Sequence, residues 1–348
     1  MPPLPADDID LILARTEGLW EEMRGSRLFL TGGTGFFGCW LVESFLAANR
    51  KFDLQAELTV LTRSPKAFLE KCPHLANDPS LNLVTGDVRN FKFPSGDFPF
   101  FIHAATEASA KLIAEQPLHM LSTVIEGTKQ CLEFASSHGT KKFLLTSSGA
   151  VYGDQPPSIT HISEDFSGAP NPLDPASVYS EGKRTAELMC AVHGATYPME
   201  CKVARCFAFV GPHLPLDTHF AIGNFIRDAM QGGSIRINGD GTPKRSYMYA
   251  ADLAIWLWTI LFKAPPMVAF NVGSDQAISI SELAQTVVEA TGSTASVRIS
   301  LPASGSSTIK QYVPSVTRAR EQLGLICEVT LEDAIRRTAA WHGYPLKS

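Results

Sequence analysis

The chain has 348 residues, 45% hydrophobic and 19% charged, and its 30 Lys and Arg against 35 Asp and Glu leave a formal charge of −5. That is the balance of an ordinary soluble globular chain of about two domains, or of one large α/β domain with a smaller lobe. It has no Lys/Arg run to meet nucleic acid or an anionic membrane, no basic leader before an apolar stretch, and no apolar run near the ~20 residues of a membrane span, so a cytoplasmic protein is expected.

Taken in chain order, residues 8–24 read as an amphipathic helix with Asp7 and Asp8 at its start and Ile9, Ile12, Leu13, Leu19, Trp20 and Met23 on one face, an added element within residues 1–25. Strand candidates follow at Arg27–Thr31, Leu58–Thr62, Leu81–Thr85, Phe100–Ala104, Lys142–Thr146 and Lys202–Cys206, separated by helical stretches at 36–48, 117–138 and 176–193. Alternation of this kind marks a parallel α/β sheet. From about Gly211 turns become frequent, a strand-like run returns near 268–273, and a further helix begins near Ser281. The expected fold is therefore a Rossmann-type doubly wound parallel sheet over residues 26–210, joined by the later strand, with a smaller mixed α/β substrate-binding lobe over 211–348. Cys39, Cys72, Cys131, Cys190, Cys201, Cys206 and Cys327 are odd in number, form no CxxC pair and sit mostly in apolar segments. Reduced core thiols are expected, with no disulfides and no metal site.

Chemistry enters at TGGTGFFG, Thr31 to Gly38, directly after the first strand and before an apolar helical run. Gly32 permits a tight turn, Gly35 lets a pyrophosphate approach the backbone, and Gly38 lets the helix pack on the strand. At the end of the second strand, where a carboxylate would hold a ribose 2′-hydroxyl, the chain reads Thr62-Arg63-Ser64. A guanidinium there suits a 2′-phosphate, so NADP(H) is favoured, with NAD(H) as the other possibility. His103-Ala104-Ala105 closes the fourth strand with small residues that leave room for a cofactor. Further on, Asp174 and Pro175 can start a helix that puts Tyr179 and Lys183, four apart, on one face. An ammonium and a positive nicotinamide beside a phenol favour its phenolate.

The glycine spacing, the segment Thr146–Gly153 and the Tyr179–Lys183 pair resemble the extended short-chain dehydrogenase/reductase family, over Arg27 to about Ala340. Ala204–Pro212, Asn224–Ile226, Asn238–Thr242, Arg245–Tyr247 and Asp252-Leu253 narrow the likeness to its nucleotide-sugar-modifying branch. The resemblance implies a dinucleotide held by Gly32, Thr34, Gly35, Phe36, Phe37 and Gly38, an adenine contact at Asp87 and Val88, and a cofactor wall at His103, Ala104 and Ala105. It implies catalysis by Ser148, Tyr179 and Lys183, the last two also touching the cofactor. A nucleotide-diphosphate sugar would be bound by Ser148, Asn224 and Arg245, and a homodimer is the family's usual state. Three departures bear on the reaction. Ser148-Gly149-Ala150 lacks the acid that dehydratases and decarboxylases of this branch carry there, Ala208 replaces an Asn, and Val124 replaces another. The expectation is reduction of a nucleoside-diphosphate 4-keto-6-deoxy sugar at C4, ahead of a 4-epimerase with tightly bound cofactor and then a 4,6-dehydratase or decarboxylase. A non-enzymatic cofactor sensor has no need of Ser148, Tyr179 and Lys183 together.

Overall fold

Seven short apolar runs become one parallel sheet in a computed structural model of the chain, which describes residues 1–106, 110–218, 220–301 and 309–345. The strands are β1 (Arg27–Thr31), β2 (Glu57–Thr62), β3 (Leu81–Thr85), β4 (Phe100–His103), β5 (Lys142–Ser148), β6 (Glu200–Cys206) and the strand Ala269–Val272. Their order across the sheet is Ala269–Val272, β6, β5, β4, β1, β2, β3. The sequence direction of neighbours reverses between β1 and β4, and a doubly wound sheet opens its ligand crevice at that point. The central strands are buried on both faces, which is why they read as continuous Leu, Phe and Ile rather than as an alternation.

The flanking helices are α1 (Ala6–Thr16), α2 (Phe36–Lys51), α3 (Pro65–Lys71), α4 (Ala110–Glu115), α5 (Pro117–Ser137), α6 (Val178–Thr196), α7 (Ala221–Met230) and α8 (Ala250–Lys263). The single helix expected over 8–24 is instead α1 followed by a tighter 3-10 segment, Glu17–Met23. Gly18 weakens an α-helix there, and the tightening brings Trp20 onto Trp258 with ring centroids 4.8 Å apart. Asp174 does cap as expected, accepting from the Ala176 N–H at 2.9 Å, but a 3-10 turn over Pro175–Ser177 delays α6 to Val178. Helix α8, AADLAIWLWTILFK, is buried from Ala250 through Phe262, so it has no polar face for a periodicity argument to find.

Beyond β6 the sheets are small: Lys244–Arg245 pairs with Ile278–Ser279 and with Gln311–Tyr312, and Ser234–Ile237 pairs with Ser296–Ile299. A single apolar cluster nonetheless runs from Leu4 to Ala339. The chain ends meet within it. Tyr249 donates its hydroxyl to Asp8 at 2.5 Å, Arg337 pairs with the same carboxylate, the Trp341 indole donates to the Pro3 carbonyl at 3.0 Å, and Arg15 pairs with Glu328 at 2.6 Å. Among the described residues, no helix is long and apolar enough to cross a membrane.

Candidate active site

The turn from β1 into α2 is built for an anion. Gly32 has φ +74°, and a Cβ on it would lie 2.5 Å from the Ala104 carbonyl, while one on Gly38 would lie 2.2 Å from the Gly32 oxygen. Neither position admits a side chain, so the backbone of β4 closes on the turn and α2 starts tight against it. Gly35 caps α2 without a side-chain bond, which leaves the first N–H groups of a 16-residue helix for a ligand such as a pyrophosphate. Phe36 and Phe37 form the helix's first turn, Phe37 packing on Phe209 at 5.0 Å, and the Thr34 carbonyl accepts from Lys71 Nζ at 3.1 Å. These features fit a dinucleotide.

At the far side of the turn Arg63 is exposed directly after β2. Asp87 is clasped by Arg89, whose Nε and Nη2 donate at 2.8 and 2.9 Å and whose backbone N–H donates at 3.0 Å. Arg89, chiefly, with Arg63 adding its charge, holds the Asp87 carboxyl at about 2. Arg89 escaped the sequence reading, which treated Asp87 as free to accept from adenine. Val88 packs on Gly127, where a Cβ would come within 2.9 Å. His103 is placed differently from a cofactor contact: its side chain is buried, with Nδ1 2.7 Å from Thr31 Oγ1 and Nε2 3.1 Å from Thr128 Oγ1. Burial lowers its pKa to about 3, so it is a neutral tie between β4, β1 and α5. Ala104 and Ala105 do line the turn, the Ala105 N–H donating to Thr31 Oγ1 at 3.3 Å.

Around the C-terminal end of β5 the structure gathers Ser148, Tyr179 and Lys183, and adds a group from far along the chain. Lys183 Nζ is buried, donating to the Thr146 carbonyl at 2.7 Å and to Thr106 Oγ1 at 3.0 Å, and stands 6.0 Å from the Tyr179 ring centre. Burial lowers the lysine to about 8. Burial also pushes the Tyr179 phenol up to about 12, against a hydrogen bond with Ser148 that lowers it. The phenolate expected from sequence rests on a positive nicotinamide as well as on the Lys183 ammonium, and the chain's own burial works against it. The phenol is kept protonated. Ser148 accepts from the Ala150 N–H at 3.1 Å and also hydrogen-bonds the phenol of Tyr312, which burial pushes up still further. Tyr312 arrives on the short strand Gln311–Tyr312, its ring tilted against Phe207 at 4.7 Å and its hydroxyl 2.7 Å from where a Cβ of Gly149 would stand. No local motif announces it, because strand pairing with Lys244–Arg245 brings it in.

Behind Ser148, Ser147 donates to Glu187 at 2.5 Å, and Glu187 pairs with Arg205 at 2.7 Å. Arg205 donates to the Tyr152 hydroxyl at 2.9 Å, which in turn donates to Asn271 at 2.7 Å. Ser147 is thus held by this buried network rather than by backbone groups. Arg245 lies 5.9 Å from the Tyr312 ring with its Nη1 on the Lys244 carbonyl at 2.8 Å, and among the described residues no carboxylate pairs with it. It is a guanidinium free for an anion at the mouth of the site. Asn224 is less free: its amide donates to the Thr218 carbonyl at 2.8 Å and accepts from Arg227 at 3.1 Å. Val124 is buried against Gly182 of α6, with 3.2 Å to a Cβ there, so the position that would carry an Asn is a packing contact. Asp252 is structural, buried at the start of α8 and accepting from the Glu328 and Val329 N–H groups.

Comparison with known proteins matches residues 28–273 to the NAD dependent epimerase/dehydratase family. The UDP-glucuronic acid decarboxylase 1 of Xenopus tropicalis is 29% identical over 318 residues, 91% of this chain and 72% of that protein. The UDP-glucuronic acid decarboxylase 6 of Arabidopsis thaliana is 29% identical over 309 residues, 89% of this chain and 86% of that one. In fold, the chain resembles a UDP-glucose 4-epimerase of Thermotoga maritima with UDP-glucose (TM-score 0.75, 21% identity, 91% of this chain and 98% of that one). It also resembles a dTDP-glucose 4,6-dehydratase of Bacillus anthracis in complex with NAD (TM-score 0.75, 19% identity, 91% and 96%).

Proposed function

We propose that this chain, which belongs to the NAD dependent epimerase/dehydratase family, reduces the C4 ketone of a nucleoside-diphosphate 4-keto-6-deoxy sugar. A bound nicotinamide dinucleotide supplies hydride in this chemistry. The chain's own work is to polarise the sugar oxygen with Ser148, deliver a proton from Tyr179, and hold an ammonium at Lys183 one helical turn away. Arg245 anchors the diphosphate, and the exposed Arg63 favours NADP(H) over NAD(H). The observation that carries the reading is the make-up of the site: Ser148, Tyr179 and Lys183 gather at the end of β5, and the segment Ser148-Gly149-Ala150 beside them brings no carboxylate. Proton delivery is what ketone reduction asks of a side chain, whereas elimination asks for a second acid or base. Leu118 on α5 and Leu188 and Val192 on α6, 78%, 64% and 57% exposed, support a homodimer formed on these two helices.

The similarity to the decarboxylases supports a second reading, in which a UDP-glucuronate gives hydride from C4 to the dinucleotide, loses carbon dioxide and takes the hydride back at C4, with no net change of cofactor. Incubation of purified protein with NADPH and enzymatically made 4-keto-6-deoxy sugar nucleotides separates the two. Stoichiometric loss of nicotinamide absorbance is expected. Release of carbon dioxide from UDP-glucuronate, or interconversion of two 4-hydroxy sugar nucleotides without nicotinamide change, would replace reduction by the decarboxylase or the epimerase.

A further inference from the structure

Beside α2, three donors from separate parts of the chain meet out of water. Cys39 lies in α2, Cys72 ends α3, and His213 lies in the loop after β6; their donor atoms are all within 4.8 Å of one another and all three residues are buried. His213 Nδ1 has no hydrogen-bond partner although it is buried, an arrangement that leaves a lone pair or an N–H unsatisfied. The other ring nitrogen, Nε2, is 3.4 Å from Glu43 Oε1. Glu43 is itself fixed by the Leu4 N–H at 2.8 Å and by His74 at 3.2 Å. A carboxylate that takes the proton of one ring nitrogen leaves the other as a bare ligand, the usual outer support of a metal-bound imidazole.

The histidine is also aimed at some conformational cost. Its φ is +69°, in the left-handed region, and the adjoining Pro212 carbonyl is held by the Trp40 indole at 2.9 Å. Lys71 Nζ sits 3.9 Å from Cys39 Sγ, where a cation favours thiolate. The two sulfurs already share a hydrogen bond. Two thiols and an imidazole are a donor set for a thiophilic cation.

We propose that Cys39, Cys72 and His213 form a zinc site that ties α2 and α3 to the loop opening the C-terminal part of the chain. Two thiolates balance the charge of the ion, their protons leave to solvent, and the fourth position stays for water. The ion would be structural, placed beside the cofactor turn through Lys71, which bonds both Cys39 and the Thr34 carbonyl.

The test is a titration of the reduced, chelator-treated full chain with cobalt chloride. A thiolate-to-cobalt charge-transfer band should saturate at one cobalt per chain and be displaced by zinc, and zinc should raise the melting temperature. Cys39→Ala and Cys72→Ala should each abolish the band. His213→Asn, whose side chain tolerates the left-handed backbone, should weaken binding about tenfold or more. Cys327→Ala should change nothing. If a cysteine variant does not fold, alkylation of the wild type in mild urea replaces it: zinc should protect Cys39 and Cys72 and no other cysteine. Absence of the band in folded reduced protein, its persistence in the double cysteine variant, or a Cys39–Cys72 disulfide in protein isolated without reductant would each overturn the proposal.

Discussion

Two phenols converge on Ser148, but only Tyr179 shares a helical face with Lys183. Phenylalanine at either position keeps the ring and removes one hydroxyl. Loss of a general acid costs roughly 10²–10⁴ in rate, or about 3–5.5 kcal/mol, so Tyr179→Phe should leave fold and cofactor binding intact and nearly extinguish turnover. Tyr312→Phe removes one hydrogen bond to Ser148, worth about 0.5–1.5 kcal/mol, which corresponds to a loss of roughly two- to tenfold. The assay is NADPH oxidation with a 4-keto sugar nucleotide, with circular dichroism and nucleotide fluorescence checking that each variant is folded and loaded. A Tyr179→Phe variant within about tenfold of wild type, or a larger loss in Tyr312→Phe, would mean that the proton comes from the strand Gln311–Tyr312 and not from α6.

Other outcomes follow from the same geometry. Arg63→Ala should weaken NADPH by about 1.5–3 kcal/mol, the scale of a charged hydrogen bond, and leave NADH nearly unchanged; equal losses in a binding titration would make Arg63 structural. Because burial lowers Lys183 to about 8, its ammonium is lost as pH rises through that value, so kcat/KM for reduction should fall above it, and Lys183→Arg should carry the falling limb to higher pH. An unmoved limb would assign it to another group. Between that value and the lysine's ordinary 10.5 the unfolded chain holds the extra proton, so the difference in stability between wild type and Lys183→Met should shift in favour of wild type with rising pH. Arg337→Met leaves the Asp8 carboxylate buried without its cation and should cost about 3–5 kcal/mol in denaturant melts at neutral pH. Burial already raises the Asp8 pKa, so the deficit should shrink as pH falls, and Asp8→Asn should relieve it in part; a deficit below about 1 kcal/mol would show that Tyr249 alone suffices.

How much was legible in the chain depended on how local each feature is. The glycine turn and the Tyr179–Lys183 spacing are set by neighbours a few residues apart, so their types and intervals carry the information. Strand ends slipped by one or two residues: β5 runs on to Ser148 and β6 starts at Glu200 because each strand completes its ladder with the other, Ser148 opposite Cys206. Tyr312, Arg89 and Glu187 were missed for a different reason. Each acts through a partner brought close by folding, and nothing in the residues beside it signals that partner. His103, expected in the cofactor wall with Ala104 and Ala105, is instead turned inward by Thr31 and Thr128, which only the fold brings beside it. Helix α8 was invisible to periodicity since it is apolar all round.

The meeting of the two chain ends sets an order on assembly. During synthesis α1 emerges before the strands of the sheet, yet Tyr249 follows β1 to β6 and Arg337, in Leu331–Trp341, lies 329 residues beyond Asp8. Until then the apolar face of α1 has no complete surface to cover, and contacts spanning nearly the full chain are slow to close. Asp8, 0% exposed in the folded protein, therefore stays an ordinary hydrated carboxylate until Tyr249 and Arg337 reach it.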